Sequence, residues 1–185
     1  GEAGAYDNVR TFVQAALSGT NGASARAWAD QAAVQFGAFM TGFRGSYFEG
    51  VNFDKLVFER LDAQVAVEDR KFPYPDGRQD NISVRWTGKV VIAEKGKYTF
   101  KVSSDDGNRL WIDGKKQFDQ WGGPVTQESS VELDPGLHDI QIEFQQGIGG
   151  AWIRVTWSGP GFSERLLTKD HVSVVPWEAI PQAGK

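Results

Sequence analysis

From Gly42 onward the chain repeats one pattern: short stretches in which apolar and polar residues alternate, separated by glycine, proline and aspartate. Alternation at a period of two puts one set of side chains on each face of an extended strand and so marks half-buried β-structure. Tyr98, Phe100 and Val102 share a face in residues 97–104, and Ile140, Ile142 and Phe144 share one in residues 138–146. The same reading predicts strands at 43–49, 82–93, 108–113, 116–121, 130–133 and 151–157, with a weaker last strand at 166–175. Residues 57–67 fit two periods, because Phe53, Val57, Leu61 and Val65 recur as on a helix while Leu61, Ala63, Val65 and Val67 alternate; strand is the favoured reading. Lys95-Gly96, Asp113-Gly114 and Pro135-Gly136 supply turns between strands, and Phe72-Pro73-Tyr74-Pro75-Asp76-Gly77 a longer loop.

The first forty residues differ. They are alanine-rich and read as helix: Asp7 caps a stripe of Val9, Phe12, Val13, Ala16 and Leu17, and Ser24 caps a second segment carrying Trp28, Ala32, Val34, Phe36 and Phe39. The expected fold is therefore mostly β, an antiparallel sandwich or barrel with an N-terminal helical segment. Residues 1–42 form an extension packing on a main domain at 43–175, and 176–185, with Pro176 and Pro181, form an exit linker.

Composition narrows the chemistry. With 185 residues, 40% of them hydrophobic, and a net charge of -4, the chain can bury a core and is poorly suited to binding nucleic acid. The absence of cysteine removes disulfides and thiolate metal sites. No apolar run reaches the roughly 18 to 20 residues of a membrane helix, so direct membrane insertion is not expected. Gly1 in place of an initiator methionine suggests a piece of a longer polypeptide.

The candidate site lies in Ser103-Ser104-Asp105-Asp106-Gly107-Asn108. On turn chemistry alone, Asp-Asp-Gly is commonly a solvated hairpin tip; the other reading is a calcium site. Neighbouring residues of a regular strand face opposite ways, so Asp105 and Asp106 can share one ion only if the backbone departs from extended geometry. A cis peptide, with its Cα atoms about 2.9 Å apart, would turn both carboxylates to one side. Strand parity carries Gln146 inward beyond Phe144, leaves Gln145 pointing out with Gln141 and Glu143, and is followed by the flexible Gly147-Ile148-Gly149-Gly150. The Gln146 side chain and the carbonyls of Ile148 and Gly150 then join the two aspartates as candidate ligands. Calcium suits such a set, since it accepts about 6 to 8 oxygens, carbonyls included, in irregular geometry. Trp121, before Gly122-Gly123, and Trp152, after the glycine loop, are placed to border a ligand pocket, with core packing an equal alternative.

Asn81 to Gly88 (NISVRWTG), Gly96 to Phe100 (GKYTF), Ser103 to Asp113 (SSDDGNRLWID) with Gly114 and Trp121, and Gly149-Gly150-Ala151 before Val155-Thr156-Trp157 together resemble the protective-antigen-type lectin domain, the PA-fourteen family. The resemblance covers about residues 43–175. It implies a β-sandwich or barrel of adhesins, flocculins, glycosidases and toxins, located outside the cell or on its surface. In carbohydrate-binding members a cis-linked aspartate pair holds a calcium that sugar hydroxyls coordinate directly, which assigns Asp105 and Asp106 that role. The third side-chain ligand is an asparagine in yeast members, for which Gln146 stands here.

The expectation is a calcium-dependent lectin module of a cell-surface adhesin, binding hexoses of cell-surface glycans or polysaccharide. The alternatives are an accessory domain of a secreted glycosidase or a structural module that binds no sugar. Catalysis by the chain itself is not expected. Glycoside hydrolysis needs two carboxyl groups facing across roughly 5 to 9.5 Å, which adjacent aspartates on one ion do not offer.

Overall fold

The structure, a computed structural model, describes residues 40–174. The expected N-terminal helices and exit linker lie outside the described residues. Within them the chain forms strands and no helix: β1 (Met40–Thr41), β2 (Phe43–Glu49), β3 (Lys55–Asp62), β4 (Ala66–Val67), β5 (Ile82–Ile92), β6 (Gly96–Asp105), β7 (Asn108–Ile112), β8 (Lys115–Gln120), β9 (Val125–Leu133), β10 (Gly136–Gln146), β11 (Trp152–Gly159), β12 (Phe162–Leu166) and β13 (Val172–Val174).

All pairings are antiparallel. An eight-stranded sheet runs β1-β13-β5-β10-β7-β8, with β2 joined to β5 and β3 to β2; a five-stranded sheet runs β12-β11-β6-β9, with β4 on β11. Their inner faces make one core. Val84, Trp86, Leu110, Ile142 and Phe144 from the larger sheet are buried with Phe100, Val102, Ile153, Val155 and Trp157 from the smaller one. These are the apolar sides of the alternating stretches, and burying them is the main favourable contribution to folding.

The Asp113-Gly114 turn has positive φ at both residues, 49° and 72°, the conformation a two-residue hairpin requires. The expected last strand at 166–175 is corrected. Residues 162–166 pair with β11, whereas β13 pairs with β5 and β1 in the other sheet. The turn at Pro160-Gly161 lets the chain reverse early, and the exposed Ser163, Glu164 and Arg165 of that strand obscured its pattern. Residues 57–67 likewise split between sheets, as β3 and β4. Strand β9 begins at Val125, earlier than expected, because its polar residues Thr126, Glu128 and Ser130 lie on its exposed face.

At the end of β3 the carboxylate of Asp62, 4% exposed, accepts from Tyr47 Oη (2.6 Å), Trp86 Nε1 (2.8 Å) and Arg60 Nε (2.6 Å). Burial, together with this carboxylate, pushes the Tyr47 phenol well above its ordinary pKa. Gly45 belongs to the same arrangement, since a Cβ there would overlap Asp62 Oδ2 and Tyr47 Cε2. Removing the carboxylate strands two buried donors. Asp62→Ala is expected to destabilise the domain by roughly 3 to 5 kcal/mol, measured by urea unfolding; a loss below about 1 kcal/mol would contradict this account of the network.

Candidate functional site

The connections β4–β5, β6–β7, β8–β9 and β10–β11 each pass from one sheet to the other. Strand register puts them at one end of the sandwich: Asp105 faces Trp152, Ser104 faces Val125, Asn108 faces both Phe144 and Gln120, Gln146 faces Ile82, and Ile153 faces Val67. Residues 68–81, 106–107, 121–124 and 147–151 therefore gather there. Distant parts of the sequence meet because the chain repeatedly changes sheets at the same place.

The shortest crossing is Asp106-Gly107, between β6 and β7. The Asp105–Asp106 peptide bond is cis. Ser104 Oγ donates to the Asp106 carbonyl (2.5 Å) and accepts from Asn108 Nδ2 (2.7 Å), which braces the step from the core side. Gly107 cannot be larger. A Cβ there would run into Gly122 N and the Gln120 carbonyl, and the Gly107 carbonyl accepts from Gln145 N at 3.1 Å. The glycine thus permits close approach of the 121–124 loop and the end of β10.

Both carboxylates face the glycine loop. Asp106 Oδ2 accepts from Gly147 N at 2.9 Å, and Asp105 Oδ2 occupies the space a Cβ on Gly150 would take. Partial burial, then hydrogen bonding and charge repulsion from Asp106, then the Asp69 charge, raise the Asp105 pKa. The two aspartates are close enough that ionising one opposes ionising the other.

The loop itself is tightly held. Gly147 O accepts from Asn81 N (2.7 Å), Gly149 O from Arg70 Nη1 (2.6 Å), and Ala151 O from Arg70 N (2.8 Å). The Ile148 and Gly150 carbonyls accept no hydrogen bond among the described residues. Gln146 is fully buried, and neither its Oε1 nor its Nε2 has a partner. A buried amide left unpaired costs about 1 to 3 kcal/mol, so such a group calls for an explanation.

These features fit a calcium ion: a crowded carboxylate pair, a glycine at 150 that leaves room for the Asp105 carboxylate, an orphaned amide on the adjoining residue and carbonyls free of donors. Among the described residues no group of three or more His, Asp and Glu side chains is arranged to hold a metal. A cation here would accordingly depend on neutral oxygens as well as the aspartates.

The two tryptophans are placed differently. Trp152 is half-buried opposite Asp105 in the β6–β11 register, on the same face of the sheet. Trp121 is engaged in packing: the Arg109 guanidinium lies 3.8 Å over its ring, Phe53 packs on it at 5.5 Å, and Nε1 donates to Asn52. Gln145, expected to point out, does leave the inter-sheet core, yet it is only 7% exposed and lies near Gly122. Its neighbour Glu143 is buried beneath Arg85 and Arg109, which pair with it at 2.7 and 3.4 Å. Sequence reasoning missed Asp69 and Arg70. They follow β4 with no motif of their own, and only the shared crossing end brings them to the glycine loop.

A two-sheet β-domain whose loops gather around an oxygen-rich end is the class of protein defined here. The chain belongs to the PA14 domain family, whose profile matches residues 41–171. It is 32% identical over 136 residues to the anti-sigma-I factor RsgI3 of Acetivibrio thermocellus, a match covering 69% of this chain and 20% of that protein. A solved anti-sigma factor domain-containing protein superposes with a TM-score of 0.68 at 29% identity, covering 72% of this chain and 48% of that one. The PA14 sugar-binding domain from an RTX adhesin shares the fold, with a TM-score of 0.59 at 19% identity, and the match covers 73% of this chain and 99% of that domain. The chain spans a fifth of the length of RsgI3.

The glycines give a sharp test. A Cβ at Gly147 would meet only Asp106 Oδ2, at an ordinary 3.5 Å, whereas one at Gly150 would displace the Asp105 carboxylate. For a calcium ion held at this end, Gly150→Ala would lower the affinity by about tenfold or more, while Gly147→Ala would stay within about threefold of the parent, by isothermal titration calorimetry. Equal effects of the two would contradict the geometry.

Proposed function

We propose that this chain is a calcium-dependent carbohydrate-binding module of a longer, extracellular polypeptide. The observation that carries the reading is the meeting, at one end of the sandwich, of the Asp105–Asp106 step, the unpartnered Gln146 amide and the free carbonyls of Ile148 and Gly150. Membership of the PA14 family, and the shared fold with a domain named as sugar-binding, support it. The binding unit is residues 43–175.

Calcium, when bound, supplies open coordination positions for vicinal hydroxyls of a hexose, and the chain supplies the rest. Asp105 and Asp106 provide the charge, and Gln146 with the Ile148 and Gly150 carbonyls completes the oxygen set. Trp152 offers an apolar edge on the Asp105 side, and Trp121 lies within the packing that holds the 121–124 loop. Two carboxylates with neutral oxygens suit affinities of roughly 0.1 to 1 mM for the ion, typical of extracellular calcium modules. The module binds its glycan without cleaving it.

The likeness to an anti-sigma-I factor favours one refinement. In this second reading the host is a regulatory protein, and the module reports the presence of polysaccharide to the rest of the chain; in the first reading the host is an adhesin. Both require the same site.

A glycan array run with calcium and with a chelator tests the reading. Binding of neutral hexose glycans is expected in calcium only, and is expected to vanish in Asp106→Ala with the melting temperature preserved. Chelator-insensitive binding, or none in calcium, would overturn it.

A further inference from the structure

Around the glycine loop, the dipeptide Asp69-Arg70 makes contacts that the core does not require. Arg70 Nη1 donates to Gly149 O at 2.6 Å and to Asp80 Oδ1 at 2.8 Å, and Nη2 donates to Asp80 Oδ2 at 3.2 Å. The backbone takes hold as well: Arg70 N donates to Ala151 O at 2.8 Å, and Ala151 N donates to Asp69 Oδ1 at 2.8 Å. The loop is thus gripped at Gly149 and on both polar groups of Ala151. From the other side, Asn81 N holds Gly147 O. Asp80 and Asn81 are neighbours, so the 68–81 connection reaches the loop at its beginning and at its end.

The consequence lies in which carbonyls remain. Each peptide group is planar and linked to the next through only two soft torsions, so fixing the Gly147 and Gly149 carbonyls on Asn81 and Arg70 constrains those between and after them. The three fixed carbonyls, of Gly147, Gly149 and Ala151, alternate with the two that accept nothing among the described residues, Ile148 and Gly150. Glycine at 147, 149 and 150 makes this order dependent on outside contacts, since such a loop has little conformational preference of its own. Ile148 offers no anchor, being 79% exposed.

We infer that Asp69-Arg70 is a positioning clamp that holds the 147–151 loop in the form that binds a divalent cation. The inference rests on the site reading given above. Arg70 is a positioning residue: its guanidinium is engaged by the Gly149 carbonyl and the Asp80 carboxylate and acts through Gly149. Its forked geometry lets one side chain satisfy a carbonyl and a carboxylate together, which a lysine does less completely.

The test compares the parent with Arg70→Met and Arg70→Lys, using terbium as the probe and exciting through tryptophan, since Trp152 is paired with Asp105 on the adjacent strand. Arg70→Met is expected to weaken terbium about tenfold and Arg70→Lys about threefold, with melting temperatures within about 3 °C of the parent. Amide exchange at Ala151 and Gly147 should quicken in the same order. Terbium affinity unchanged in Arg70→Met, with the parent binding normally, would overturn the clamp and leave the site reading intact. A parent that binds no terbium would overturn the site reading and the clamp's role with it.

Discussion

Two adjacent carboxylates on a short turn repel each other, and the surroundings of Asp105 and Asp106 can be understood as the means of keeping them together. Strand β6 ends on one and the crossing to the other sheet begins with its neighbour. Ser104 and Asn108 brace the step from within, Gly107 lets the adjacent loop approach, and Gly147 N donates to Asp106. In the folded chain burial first, and then the neighbouring Asp106, hold the Asp105 pKa above its ordinary value. A divalent cation between the two carboxylates would offset their mutual repulsion.

The remainder of the fold supplies rigidity where this end needs it. On the outer surface of the larger sheet, Arg85, Glu143, Arg109 and Asp119 form a row across β5, β10, β7 and β8. Arg109 also covers Trp121, so the row is tied to the loop that packs against Gly107. Exposed ion pairs contribute little to stability, but this one buries Glu143 and joins a sheet to a loop. Asp62, with Tyr47 and Trp86, plays the comparable part where β2, β3 and β5 meet.

Much of this was legible from residue order alone. Alternation located the strands that carry the core, because burial of one face leaves a period-two record in residues such as Tyr98, Phe100 and Val102. The same parity put Gln146 inside, where it is fully buried. Edge strands left a weaker record: β12 exposes Ser163, Glu164 and Arg165, and its pairing could not be separated from that of β13. Trp121 could not be placed, since its packing on Arg109 and Phe53 joins residues far apart in the chain. The partners of the glycine loop were hidden for the same reason. Asp69, Arg70 and Asn81 reach it only through the sheet crossings, and nothing in their local sequence announces a contact with residues 147–151.

The central claim is that one ion can sit between the aspartate pair and the glycine loop. Anomalous diffraction from crystals of this chain grown with a calcium or terbium salt tests it directly. The account predicts one strong peak within about 2.3 to 2.6 Å of carboxylate oxygens of Asp105 and Asp106, the Gln146 amide oxygen and the carbonyls of Ile148 and Gly150. A peak elsewhere, or none at this end of the sandwich at millimolar ion, would contradict it.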